Sequence, residues 1–416
     1  MHKKEMIQKS YEAASARYAL YGVDTEEALR QMKEIPISLH CWQGDDVTGL
    51  EGASGGTSGG ILSTGQYPGK ARNGEELRAD IDQALRLLPG KQRLNLHASY
   101  AEKGEEKVDR DAYETRHFAR WIEWADERNI AIDFNPTCFG HPLAADNLTL
   151  AHPDENIRRF WINHCKACRK IAADMGKKLG KPAINNIWIP DGMKDMPADR
   201  MYYRQLLRDS LDEILSESYP ADYLIDAVES KLFGVGVESY TVGSHEFYME
   251  YVAHAQAKGC KNLILTLDMG HFHPTETIAD KISSLLLFQD KLLVHISRGV
   301  KWDSDHVVIS DEAVFDVMRE IKRADGFNRV FLATDFFDGS INRVAAWVIG
   351  VRAAQKAVLA ALLEPTRMMK EAEMAANYTE RLALMEEARS LPYTAVWDKF
   401  CLDERVPTGL DWLEDV

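Results

Sequence analysis

Residues 263–274 read LILTLDMGHFHP, an apolar run that stops abruptly at Asp268, His271, His273 and Pro274. LILTLD has the length and the continuous apolar character of a strand buried on both faces, the kind a parallel sheet contains. A strand that carries one carboxylate and two imidazoles to its far end has two readings. It is either an ordinary strand followed by a turn and a helix cap, or one wall of a metal site. The rest of the chain decides between them.

Similar runs recur on both sides of this one. They are ISLHCW (37–42), RLNLHASY (93–100), IAIDFNP (130–136), AINNIWIP (183–190), LIDAVES (224–230), LLVHISR (292–298) and RVFLATDFF (329–337). With LILTLD they make eight predicted strands. Segments of helical periodicity separate them, including EELRADIDQALRLL (75–88), ETRHFARWIEWADERN (114–129), residues 155–178 and PTETIADKISSLLLF (274–288). Strands alternating with helices predict parallel pairing, and eight such units predict an α/β fold closed as a (β/α)8 TIM barrel. A doubly wound open sheet is the competing topology, but no GxGxxG follows the first strand.

The ends read differently. Residues 1–34 form a predicted N-terminal helical extension, 35–363 the barrel, and 364–416 a C-terminal helical tail. The tail is too short and too charged for a core of its own, so it is expected to pack on the barrel or a neighbouring subunit. The apolar segment INRVAAWVIGVRAAQKAVLAALL (341–363) predicts a helix covered on more than one face. GLEGASGGTSGGILSTGQYPG (49–69) lacks the GK[ST] ending of a phosphate loop. Its place after the first strand suits a lid over the barrel mouth, with plain disorder as the alternative.

Charge and composition narrow the function. The 416 residues carry 65 acidic against 50 basic side chains, a net charge of −15, which disfavours broad binding to nucleic acid or anionic membranes. No uninterrupted apolar run reaches the roughly 20 residues that span a bilayer, and the charged start MHKKEMIQKSYEAASARYAL lacks the apolar core of a signal peptide. A cytoplasmic protein with reduced thiols is expected. The close pair Cys165 and Cys168 sits in a predicted helix with no second pair to complete a zinc site.

Active sites of such barrels lie where strands end, and these strands end on an unusual set. The fifth gives Glu229 and Lys231, the sixth Asp268 and His271. The seventh carries His295 and leads into KWDSDH with Asp303 and Asp305; the eighth carries Asp335, and His97 ends the second. Each has an ordinary alternative as a core histidine, a cap or a turn residue. Together they would place carboxylates and imidazoles on one rim, and buried carboxylates are costly unless paired or bound to a cation. An oxygen-rich set with some imidazole suits Mn²⁺, Mg²⁺ or Co²⁺, and the number of ligands suits two ions that share carboxylates.

The segments AVESKLFGVGVESYTVGSHEFYM (227–249), LDMGHFHPTE (267–276), HISRGVKWDSDHVV (295–308), DFFDGSINRVAAWVIG (335–350) and ALLEPT (361–366) resemble the bacterial L-rhamnose isomerase family over essentially the whole chain. The resemblance implies a homotetramer that uses Mn²⁺ to interconvert an aldose and its 2-ketose by a hydride shift between C2 and C1. Two ions per subunit are expected, with Co²⁺, Mg²⁺ or Zn²⁺ acceptable at one site. It implies that Glu229, Asp268, His295 and Asp335 hold a structural ion, and that His271, Asp303 and Asp305 hold a catalytic one. His97, Trp188 and Lys231 match family residues around the substrate. Asp303 is the expected proton partner. Lys231, on the same strand face as Glu229, is expected to stabilise negative oxygen. Trp188 and Phe139 are expected to wall the sugar, with His271 also facing it. His273, next to Pro274, is expected to support the ligands from outside or to cap the next helix, and not to be a ligand.

Rival functions remain at this level. A barrel metallonuclease would want a basic groove for phosphates, which this charge balance disfavours. A non-catalytic sugar or metal binder would show no turnover, and other aldose isomerases share the chemistry.

Overall fold

Parallel strands that are covered on both faces need apolar residues in succession, and that is how the eight runs are used. In a computed structural model that describes residues 3–51, 70–232 and 239–416, they form one closed parallel barrel. Its strands are β1 (Ile37–His40), β2 (Gln92–His97), β3 (Ile132–Asn135), β4 (Ala183–Ile187), β5 (Leu224–Glu229), β6 (Leu263–Asp268), β7 (Leu292–Ile296) and β8 (Val330–Thr334). Each pairs with its neighbour in sequence, and β1 closes on β8 through Ile37 opposite Leu332. The expected (β/α)8 architecture is the observed one.

Register fixes the rim. Asp268 lies directly opposite His295 across β6 and β7, and Glu229 opposite Thr266 across β5 and β6. Most residues of β5, β6 and β7 are buried apolar side chains, so the polar ends of these strands sit on a rigid support.

The helices follow the sequence with two differences. Residues 114–129 begin as a 3₁₀ turn, Thr115–Phe118, before the α-helix Ala119–Glu127. The Glu114 backbone N–H is held by His117 Nδ1 at 3.0 Å, which tightens that first turn. The helix expected over 274–288 is only Ala279–Leu286. Pro274 and the turn in which Thr275 N–H bonds back to His273 Nδ1 delay its start. A two-stranded antiparallel ribbon, Gly192–Met193 with Tyr240–Thr241, is too short to leave a periodic signal.

The helix Arg343–Leu362 is apolar and long enough to cross a membrane, but 83% of its most apolar window is buried inside the protein, so it serves as a core helix. The helix Tyr393–Asp403 buries Val396, Trp397 and Phe400 against it and against the N-terminal helix Lys3–Ala19. Most of the glycine-rich segment, residues 52–69, lies outside the described residues, and so does its reading as a lid. All six cysteines are free thiols; Cys138 and Cys165 sulfurs lie 4.0 Å apart in the core.

Candidate metal centre

The ends of β5 to β8 bring together two overlapping groups of donors. Glu229, Asp268, His295 and Asp335 form one, and Asp268, His271 and Asp303 form the other; within each, the donor atoms lie within 4.8 Å of one another. Asp268 belongs to both. A shared carboxylate is compatible with two neighbouring ions.

Each carboxylate is held by one oxygen and presents the other. Glu229 Oε2 accepts from Asn186 Nδ2 at 2.5 Å, while Oε1 is buried without a hydrogen bond. Asp268 Oδ1 accepts from Ser297 Oγ and Gly270 N, both at 2.6 Å, while Oδ2 is free. Asp335 Oδ1 accepts from Trp42 Nε1 at 3.0 Å and turns Oδ2 toward His295. Asp303 Oδ2 pairs with Lys231 Nζ at 2.7 Å, and Oδ1 is free. Outer donors that fix one ligand atom and leave another facing inward are the usual support of a metal site.

The imidazoles complete the pattern. His295 Nδ1 lies 3.3 Å from Glu229 Oε1, 3.6 Å from Asp268 Oδ2 and 3.3 Å from Asp335 Oδ2, yet it makes no hydrogen bond. Donors bound about 2.0–2.2 Å from one ion are separated from each other by roughly 3 Å or slightly more, as these are. His271 Nδ1 donates to the Ser230 carbonyl at 3.0 Å, which leaves Nε2 toward Asp303 Oδ2 at 3.4 Å. The residues therefore fit divalent cations, both in donor chemistry and in the buried atoms left without partners.

Electrostatics agree. Burial would lower the His271 pKa, but the Asp268 and Asp303 carboxylates raise it to about 10, and His295 is likewise raised well above its ordinary value by Glu229 and its neighbours. Burial and the carboxylates of Asp303 and Asp335 push Asp305 well above the usual range. Against burial, the Lys231 and His271 charges hold Asp303 below it. A field that favours positive charge this strongly favours a metal ion, which takes the imidazoles as neutral ligands.

The two groups open into a cavity walled by Trp42, His97, Phe139, Trp188, Lys231, Trp302 and Asp305. Asp305, expected as a ligand with His271 and Asp303, lies on this wall in a left-handed conformation, φ 44°, outside the two compact donor groups. Phe139 meets His97 and Trp188 edge-on at 5.4 and 5.7 Å. Lys231 Nζ lies 5.0 Å over the Trp188 ring. Burial, assisted by the Arg110 charge, lowers His97 to about 3 and keeps its ring neutral. His273 lies outside both donor groups and its Nδ1 bonds Thr275 Oγ1 at 2.7 Å within the turn; it does not cap the following helix, whose N-cap is Ile278.

Sequence reading missed several members of the site. Asn186 orients Glu229, Trp42 orients Asp335, and Asn135, with a buried free Oδ1, lines the cavity. The available signal was NN inside the strand AINNI, since asparagine is depleted in strands. Trp42 left no comparable trace, because a tryptophan after a strand is ordinary core.

Fold and site define a class: a (β/α)8 barrel whose C-terminal mouth carries clustered carboxylates and imidazoles able to hold metal ions. The model of the L-rhamnose isomerase (RhaA) family matches residues 5–416. L-rhamnose isomerases of Salmonella paratyphi B and Salmonella agona are each 55% identical over 410 residues, spanning 99% of this chain and 96% of theirs. The chain belongs to the L-rhamnose isomerase family and is an isomerase. The solved structure of an L-ribulose 3-epimerase overlaps 82% of this chain and 97% of its own, at 11% identity and a TM-score of 0.47, a likeness too loose to bear on substrate.

Proposed function

We propose that the enzyme interconverts L-rhamnose and L-rhamnulose by a hydride shift between C2 and C1, with two divalent cations, Mn²⁺ by preference, in each subunit. The observation that carries the metal requirement is the pair of donor groups sharing Asp268 at the barrel mouth. The substrate follows from family membership. When bound, the cations would supply Lewis acidity toward O1 and O2 of the open-chain sugar, the condition under which hydrogen passes between carbons without a carbon base.

The chain's own residues do the rest. Glu229, Asp268, His295 and Asp335 would hold one ion; His271, Asp303 and Asp305 would hold the other, with Asp268 within reach of both groups. Asp303, kept ionised by Lys231, accepts and returns the proton that moves between the O1 and O2 hydroxyls. Lys231 presents its ammonium to developing negative oxygen. The neutral His97 ring offers a hydrogen bond without adding charge, and His271 borders the sugar. Phe139 and Trp188 cover apolar C–H faces and exclude water; the Trp188 indole N–H, buried without a partner, is available to a hydroxyl. The assembly is a homotetramer in the cytoplasm, the tail 364–416 packing on the barrel domain or a neighbouring subunit.

A coupled assay for ketose formation from L-rhamnose, run in D₂O, tests the reading. Turnover with almost no deuterium at C1 of the ketose is expected. Substantial deuterium at C1 would replace the hydride route with an enediol, and no ketose at all would leave a sugar binder.

A further inference from the structure

Trp302 is the feature that this reading leaves without a role. All nine tryptophans lie in the described residues. Eight are buried or half-buried, while Trp302 is 50% exposed. It nevertheless lines the cavity of the metal centre, beside Asp303.

The backbone around it is built to hold that position. Residues 298–306 form a small hairpin, closed by the bridge between Arg298 and His306, with His306 N–H donating to Arg298 O at 3.1 Å. Arg298 Nε donates to Val307 O at 2.8 Å, and Val300 N–H donates to Ser304 Oγ at 2.9 Å. Lys301, just before the tryptophan, takes a left-handed φ of 70°. The tip is thus shaped by its own hydrogen bonds, and the indole is not needed to fill a core. A large aromatic face left half in water at the mouth of a polar cavity has a use when something apolar on one face and polar at its edges lies against it.

We propose that Trp302 is a further substrate-binding residue, a stacking wall that closes over the C–H face of the bound sugar from the outer side of the cavity. This rests on the sugar-isomerase reading above. The hairpin would then deliver two functions from adjacent positions, Asp303 to the ions and Trp302 to the sugar.

The test uses the full-length Mn²⁺-loaded enzyme and the variants Trp302→Ala and Trp302→Phe. For Trp302→Ala, KM for L-rhamnose is expected to rise about tenfold with kcat within about threefold. Trp302→Phe should recover most of the loss. Mn²⁺ affinity and oligomeric state should match the wild type in both. Equilibrium sugar binding followed by tryptophan fluorescence should show a wild-type change that Trp302→Phe reduces, the remainder coming from Trp42 and Trp188 in the same cavity. An unchanged KM in Trp302→Ala would overturn the proposal. So would a rise in KM that tracks lost Mn²⁺, which would mark a purely structural hairpin residue, or a change in assembly without a change in KM, which would mark an interface residue. Failure of the wild type itself to turn over L-rhamnose would strike the underlying function instead.

Discussion

The two ends of the barrel treat the same side chain in opposite ways. At the N-terminal end, Asp226 and Asp133 are as buried as the carboxylates at the mouth, but each has both oxygens occupied. Asp226 takes Arg169 Nε and Nη2 at 3.1 and 2.9 Å on Oδ2, and Asn185 Nδ2 at 3.1 Å on Oδ1. Asp133 takes Arg93 on both oxygens, together with Ser38 Oγ and Ile184 N. At the C-terminal mouth, Glu229, Asp268 and Asp303 each keep a buried oxygen without a partner. A closed ion pair holds the barrel together; an open one awaits a cation. Asp226 and Glu229 stand three residues apart on β5, so one strand carries both solutions.

Breaking each end should therefore produce different failures. Glu229→Gln should lower kcat/KM for L-rhamnose by about a thousandfold or more, since the several kcal/mol of charge stabilisation supplied by a properly held ion is lost. Its thermal unfolding in the presence of a chelator should stay near that of the wild type. Asp226→Ala should do the reverse: it leaves the Arg169 guanidinium buried and unpaired, at a cost of roughly 3–5 kcal/mol in denaturant unfolding. If the two variants fail in the same way, the distinction between the ends is wrong.

The support of the open carboxylates gives a smaller effect. Asn186 Nδ2 holds Glu229, and its Oδ1 accepts from Thr266 Oγ1 at 2.7 Å. Asn186→Ala should weaken Mn²⁺ binding by roughly 10- to 100-fold while leaving the fold intact, measured by titrating the metal-free protein. Unaltered affinity would mean that Glu229 needs no orienting partner.

The smallest effect concerns a third kind of buried carboxylate, neither paired nor open to an ion. Asp45 accepts from Tyr100 Oη at 2.6 Å and Gly49 N at 2.8 Å. Burial raises its pKa to about 7 in spite of these bonds. Because the folded value lies above the unfolded one, the folded state binds the extra proton between about pH 4 and 7, and this group's contribution to stability declines as pH rises through that window. Asp45→Asn should remove that part of the pH dependence; a stability profile identical to the wild type would show that Asp45 is ionised throughout.

How much of this was legible beforehand depends on the range of the interaction. The eight strands were readable because a parallel barrel strand must be apolar on both faces, a demand met within six residues. The rim residues were readable because strand ends carry their polar side chains to one side of the barrel. What the chain could not display was which carboxylates are closed. LIDAVES shows an Asp and a Glu alike, and only the placement of Arg169, 57 residues from Asp226, separates them. Trp42 and Asp335 meet across the closure of the barrel, 293 positions apart, a distance that no local pattern records. Asp305 was named a ligand through the family resemblance; it lines the same cavity as Asp303, with a left-handed φ of 44° that no local sequence pattern announces.

The central claim is that the open carboxylates form a centre for two ions. Titration of metal-free protein with Mn²⁺, followed by electron paramagnetic resonance alongside the L-rhamnose assay, tests it most directly. The account predicts two ions bound per chain, activity that appears only as they bind, and spin coupling between ions that sit close together at the barrel mouth. Full activity in exhaustively chelated protein, or no Mn²⁺ bound at the barrel mouth, would contradict it.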